Sequence, residues 1–278
     1  LLYRDSIRLG TQKSVIDVAT MRRVLITGGA GMLASDLVRH FASGDQYEPL
    51  PLSHTDLDVT NADDVNSTLE DVRPDVLIHT AALHVDECEK DPDRAFQVNA
   101  WAARGLALAC QRHEITLVQI STCGLFGDEY RAYTEYDTVT LKTVYARSKH
   151  TGDDFVRNLC EHHFVLRPGW LFGGSTRHPK NFVARRYEEA LRSNCVQSAS
   201  DKHGSPTYCA DLATGIETLL ETKEYGTYHL ANSGGCSRAE YVKHIFDCFG
   251  LTTEVEEVDS RHFPRNADVP DCEILDSL

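Results

Sequence analysis

Short β-branched and leucine-rich runs alternate with amphipathic stretches through the first 168 residues. That alternation predicts a parallel sheet with helices on both faces. Arg23-Val-Leu-Ile-Thr27, Asp75-Val-Leu-Ile-His79 and Ile115-Thr-Leu-Val-Gln-Ile120 are continuous apolar runs of strand length, the pattern of strands buried on both sides. From Leu33 to Phe41 apolar residues recur at helical spacing, and residues 143–160 read as a later helix. Glu48-Pro-Leu-Pro-Leu52 carries two prolines, which predicts a short or irregular second strand. Past Pro168 the pattern loosens. Gly173-Gly174 and Arg177-His178-Pro179 precede helices expected at 181–193, 209–221 and 237–249, around a strand at 226–231. The fold class expected is α/β: a doubly wound parallel (Rossmann) sheet over residues 21–168, then a smaller C-terminal α/β region over 169–278 that caps it.

Residues 1–20 show little periodicity and lack the apolar core of a secretory signal, and Met21 directly precedes the first strand. They read as an unstructured upstream extension: a vector remnant, a misplaced start or a natural tail. The last ten residues carry no closing helix pattern, as a truncated chain would.

Composition narrows the function classes. A net charge of −14 disfavours nucleic acid as a partner. No apolar run approaches the ~20 residues of a membrane span. Nine cysteines are an odd count without any C-x-x-C pair, which argues against a disulfide framework or a zinc site and for a reducing, cytoplasmic setting. Cys160, His162 and His163 lack metal-ligand spacing, so no metal is expected.

The first candidate chemistry is the turn Thr27-Gly28-Gly29-Ala30-Gly31-Met32-Leu33-Ala34, between the first strand and the first helix. Glycine there lets the backbone approach a pyrophosphate, which then faces the free N–H groups of the helix start. Taken alone it is equally a plain tight turn. Asp56-Leu-Asp58-Val59 lies where an acidic side chain reaches the adenosine end of a dinucleotide, and the strand ends Thr80-Ala81-Ala82 and Ser121-Thr122 are small or hydroxylated. Ser53-His54 places no acid directly at the second strand end, which tolerates a 2′-phosphate. Tyr145 and Lys149 lie one helical turn apart and share a face, so the ammonium is expected to lower the phenol pKa and make it a usable acid.

With these residues the chain resembles the extended short-chain dehydrogenase/reductase family, most nearly its dTDP-4-dehydrorhamnose reductase members. The resemblance runs from Met21 onward. It rests further on Pro74-Asp-Val-Leu-Ile-His-Thr-Ala-Ala82, Val85-Asp86-Glu-Cys-Glu89 with Val98-Asn99-Ala100, Leu166-Arg-Pro-Gly-Trp170 with Asn181-Phe182, and Asp201-Lys-His-Gly-Ser-Pro-Thr207. It implies a catalytic trio of Thr122, Tyr145 and Lys149. Gly28, Gly31, Met32 and Leu33 would cradle the pyrophosphate, with Asp58 and Val59 near the adenine. Ala81, Ala82 and Asn99 would line the nicotinamide side, where Tyr145 and Lys149 also touch the cofactor. His84, Asp86, Thr122, Trp170 and Asn181 would bind a nucleotide sugar. Trp170 is equally a core aromatic, and Asp86 equally a cap of the following turn. Lys180, Arg185, Arg186, Lys202 and His203 are either cations for the anionic substrate or ordinary surface charges.

The implied activity is NADPH-dependent reduction of a nucleotide-linked 4-keto-6-deoxysugar, with NADH left open and a homodimer as a further option. Departures keep alternatives in play. Where the family reads S-T-D-Y-V-F, this chain reads Ser121-Thr-Cys-Gly-Leu-Phe126, so no acid follows Thr122 in sequence. Leu141 and Ala146 replace a proline and a glycine around Tyr145, the loop between Ala82 and Val85 is one residue short, and Phe263-Pro-Arg-Asn266 lacks a leading arginine. Cys123 is either reactive or a small filler. The rival functions are a nucleotide-sugar epimerase and a non-catalytic NADP-binding regulatory subunit like that of methionine adenosyltransferase.

Overall fold

In chain order the first half runs β1 (Arg22–Thr27), α1 (Met32–Phe41), β2 (Tyr47–Leu52), α2 (Ala62–Val72), β3 (Val76–His79), the short α3 (Val85–Lys90) and α4 (Pro92–Phe96), a π-helical turn (Gln97–Trp101), α5 (Ala102–His113), β4 (Thr116–Ile120), α6 (Val144–Leu159) and β5 (His163–Arg167). The second half adds β6 (Trp170–Phe172), α7 (Phe182–Ala190), β7 (Cys195–Ala199), β8 (His203–Gly204), β9 (Pro206–Tyr208), α8 (Cys209–Thr222), β10 (Gly226–His229), β11 (Cys236–Ser237), α9 (Arg238–Phe249), β12 (Glu254–Val258) and β13 (Cys272–Glu273). The structure is a computed structural model that describes residues 21–277; the extension at residues 1–20 lies outside them. No helix among the described residues is long and apolar enough to cross a membrane.

Six parallel strands form the main sheet in the order β10-β5-β4-β3-β1-β2. Alternate side chains enter opposite cores, which is why the strands read as unbroken apolar runs. Val24, Ile26, Ile78, Val118 and Leu166 pack against α1 and α8. Leu25, Leu77, Leu117 and Val165 pack against α2, α5 and α6. The doubly wound parallel sheet is therefore present, and its strand order reverses between β1 and β3. Ligands of such sheets bind in the crevice at that switch point.

Two expectations need correction. β2 is neither short nor irregular: all six residues pair in register with β1. It is the edge strand, and Arg22 N and Gly29 N donate to Gln46 O and Leu52 O at 2.8 Å. Pro49 and Pro51 have the opposite parity, so their missing N–H groups fall on the open edge, where a proline removes no ladder bond. Nor does packing follow a division at residue 168. β10 completes the main sheet and α8 covers one face of it, although both come from the second half. The remaining small sheets, with α7 and α9, form a separate core around Phe126, Trp170, Tyr241 and Phe246 above the strand ends.

Candidate active site

The glycine turn sits in the crevice between β1 and β3. Gly28 has φ +68°, and a Cβ there would lie 2.9 Å from Thr80 Oγ1 and 3.0 Å from Ala81 N. Thr80 Oγ1 donates to Thr27 O at 2.7 Å, which ties the two strand ends together. Only glycine combines that φ with so close an approach. At the start of α1, no side chain among the described residues caps Gly31, and the first turn holds no acidic residue. These amides are open to an anion.

A cavity of about 770 Å³ and another of about 730 Å³ open at the strand ends. The smaller is walled at one end by Gly28, Gly31, Met32 and Leu33, and at the other by Tyr145 and Lys149. Ala81, Ala82 and His84 lie along it, with Asp58, Val59, His54 and Arg94 toward the outer rim. Asp58 accepts from Thr60 N at 3.0 Å and Thr60 Oγ1 at 2.7 Å, and those bonds hold its carboxyl below the usual range. The glycine backbone, the free helix start and the residues lining this cavity fit a dinucleotide.

Asn99 is not a lining residue. It is 1% exposed, its Oδ1 accepts from Leu83 N at 2.8 Å, and its Nδ2 donates to Leu83 O at 3.1 Å and Ser148 Oγ at 3.0 Å. The π-helical turn aims Asn99 behind the wall, where it pins the loop carrying Leu83 to α6, while the adjacent Val98 faces the cavity.

Thr143 caps α6, its hydroxyl accepting from Ala146 N at 3.0 Å, and so fixes Tyr145 in the first turn and Lys149 one turn later. Lys149 is 2% exposed and donates to Ile120 O at 2.7 Å. Burial pushes its pKa down. The expectation that Lys149 draws the Tyr145 pKa downward needs correction: burial dominates and raises it, with the Thr122 hydroxyl pulling the other way. The phenol therefore holds its proton at neutral pH. Thr122 Oγ1 accepts from Gly124 N at 3.0 Å, which leaves its own O–H to donate.

Thr122, Tyr145 and Gly169 border both cavities, so the two spaces meet at the hydroxyl pair. The larger one is walled by Cys123, Gly124, Trp170, Arg238 and Glu273, with Arg186, Lys202, Arg261 and Arg265 around it. Trp170 is both core and wall: it is 9% exposed, and its Nε1 donates to Glu273 Oε2 at 2.6 Å. The Arg238 guanidinium stacks over Trp170 at 3.3 Å from the ring centroid, and it forms no ion pair among the described residues. Asp86 is the second residue of α3 and accepts from Arg265 at 2.9 Å, which ties a cavity-lining cation to the helix.

Asn181 departs from the expected role. It caps α7 by accepting from Ala184 N at 3.0 Å, donates to Gly173 O at 2.9 Å, and lies outside the cavity lining. Among the proposed cations, Arg186 and Lys202 line the larger cavity and Lys180 the smaller, while Arg185 and His203 line neither. Cys123 is buried, and burial raises its thiol well above its ordinary value, as for a small filler side chain. Sequence reasoning missed Arg238 and Glu273. Neither belongs to a motif, and only folding brings the start of α9, β13 and the loop after β4 together.

The family described as RmlD substrate binding domain matches residues 21–277. The spore coat polysaccharide biosynthesis protein SpsK of Bacillus subtilis is 31% identical, over 92% of this chain and 89% of that protein. A dTDP-4-dehydrorhamnose reductase of Aggregatibacter actinomycetemcomitans is 31% identical, over 90% of this chain and 87% of the relative. The crystal structure of dTDP-4-dehydrorhamnose reductase from Bacillus anthracis in complex with NADP superposes with a TM-score of 0.87 at 35% identity, covering 92% of this chain and 90% of that one. With a crevice built for a dinucleotide opening onto a tyrosine–threonine pair, and a match that runs from the first strand to the end of the described residues, the chain belongs to the RmlD substrate-binding-domain family, on an extended short-chain dehydrogenase/reductase fold.

Proposed function

We propose that this protein is an NADPH-dependent ketoreductase that reduces the 4-keto group of a nucleotide-linked 6-deoxysugar, the reaction type named for its dTDP-4-dehydrorhamnose reductase relatives. The observation that carries the reading is the meeting of the two cavities at Thr122 and Tyr145. When bound in the smaller cavity, reduced nicotinamide supplies the hydride. The chain supplies the rest. Tyr145, which burial keeps protonated, donates its proton to the carbonyl oxygen as negative charge develops there. Thr122 donates a hydrogen bond to the same oxygen. Lys149, anchored on Ile120 O, orients the cofactor ribose. In the larger cavity Arg238, Lys202 and Arg265 face the nucleotide's diphosphate, and Trp170 offers an aromatic wall.

His54 and Arg94 at the outer rim favour NADPH over NADH, because both can meet a 2′-phosphate. Nine free cysteines support a reducing compartment, in line with a cytoplasmic enzyme.

The test is loss of reduced-nicotinamide absorbance with dTDP-4-dehydrorhamnose, using NADPH and then NADH. Turnover is expected with NADPH. Tyr145→Phe should lower kcat by about 10²–10⁴-fold, the usual contribution of a positioned acid, while NADPH affinity stays within a few-fold. Tight NADPH binding without any turnover would overturn the reading in favour of a regulatory protein.

A further inference from the structure

Thr122 is not followed by an acid in the sequence, yet a carboxylate stands beside it in the fold. Gly124 leaves the β4 loop with no side chain, and a Cβ there would lie 3.1 Å from Glu273 Oε1 and 3.4 Å from Thr122 Oγ1. Glu273, on β13, thus occupies the space that a side chain at position 124 would fill. Its strand pairs with β8, with Glu273 in register with Gly204. One carboxylate oxygen is committed, since Oε2 accepts the Trp170 indole N–H at 2.6 Å. The indole is in turn held beneath Arg238. The other oxygen, Oε1, has no hydrogen-bond partner among the described residues, and Glu273 lines the cavity that Thr122 and Tyr145 also border.

A carboxylate fixed through one oxygen, with the other open to a substrate cavity, is a directed acceptor. The reacting carbonyl has no proton to give it, and a diphosphate would be repelled. A ring hydroxyl next to that carbonyl is a donor of the right kind. We propose that Glu273 Oε1 accepts a hydrogen bond from a sugar hydroxyl neighbouring the reacting carbonyl, which makes Glu273 a specificity-determining residue supplied by β13 where the β4 loop provides none. This rests on the keto-sugar reading of the site.

The experiment compares wild type, Glu273→Ala and Glu273→Gln with dTDP-4-dehydrorhamnose and with its 2-deoxy and 3-deoxy analogues. Wild type should discriminate against the 3-deoxy analogue, which lacks the hydroxyl next to the carbonyl, and not the 2-deoxy one, by about 10–100-fold in kcat/KM, the range for a hydrogen bond to a charged group. Glu273→Ala should lose that factor on the full substrate, mainly through KM, and lose little more on the analogue lacking the bonded hydroxyl. The near-isosteric Glu273→Gln keeps an acceptor for Trp170 and should lose the same discrimination, which separates recognition from folding. NADPH affinity should not move. Equal losses on all three sugars, or none, overturn the proposal. The same comparison run calorimetrically as binding of the reduced sugar nucleotide and its deoxy forms needs no turnover. A wild type that discriminates in binding but never reduces the ketone would sink the reductase reading and leave Glu273's role standing.

Discussion

His79 shows how a single buried side chain sets a pH response. Its Nδ1 sits 2.8 Å from Thr27 Oγ1, its Nε2 has no partner among the described residues, and burial lowers its pKa from 6.5 to about 3. In the folded protein it stays neutral, whereas the unfolded chain takes up a proton below pH 6.5. Stability from this group is therefore full above 6.5, falls as the pH drops toward 3, and levels off below that. At ~1.4 kcal/mol per unit, unfolding in urea at pH 4.5 should require about 2–3 kcal/mol less than at pH 7 through this residue. Replacing it with glutamine should flatten that part of the profile. If wild type and His79→Gln lose the same amount between the two pH values, the assignment is wrong. Nothing in the sequence separates this histidine from a ligand; only the depth of β3 in the sheet decides it.

At the scale of elements, caps and edges explain more than propensity does. The sequence pattern located α6, α8 and α9 to within a residue or two at either end, because each has a periodic apolar face. Thr143 and Ser237 are the caps of α6 and α9. Asn181 belongs with them. Asn181→Ala removes the cap of α7 and the tether to Gly173 O, so it should destabilise the protein by about 1–2 kcal/mol. Asn181→Asp, which keeps the cap acceptor, should recover part of that. Urea midpoints for the pair check this. A raised substrate KM at unchanged stability would instead return Asn181 to the sugar pocket.

For the whole molecule, the point is that the cofactor sheet is not a self-contained first half. Leu212, Ala213, Ile216 and Leu220 of α8 cover the face shared with α1, and β10 extends the sheet beside β5. A fragment of residues 21–168 would leave that apolar face in water. It should lack a cooperative urea transition and aggregate, while the full chain unfolds in one step. A soluble fragment with a sharp midpoint near that of the full chain would show that the second half is dispensable.

What the sequence by itself determined lies in local patterns. The doubly wound sheet follows from apolar runs alternating with amphipathic ones. The glycine turn follows from the backbone geometry that only Gly28 permits, and the Tyr145–Lys149 pair from one helical turn of spacing. Each is a relation between residues close in the chain, so its physics is written in consecutive letters. The tertiary structure alone decided which positions face the ligand and which stand behind it. Asn99 and Asn181 sit next to cavity residues in sequence yet turn their amides to backbone partners, because a π-helical turn and a helix cap aim them there. Glu273 and Arg238 carry no local signal, yet β13 and the start of α9 bring them to Trp170, beside Thr122. A charge near the reacting atoms is a matter of distance through space, and chain separation does not encode it.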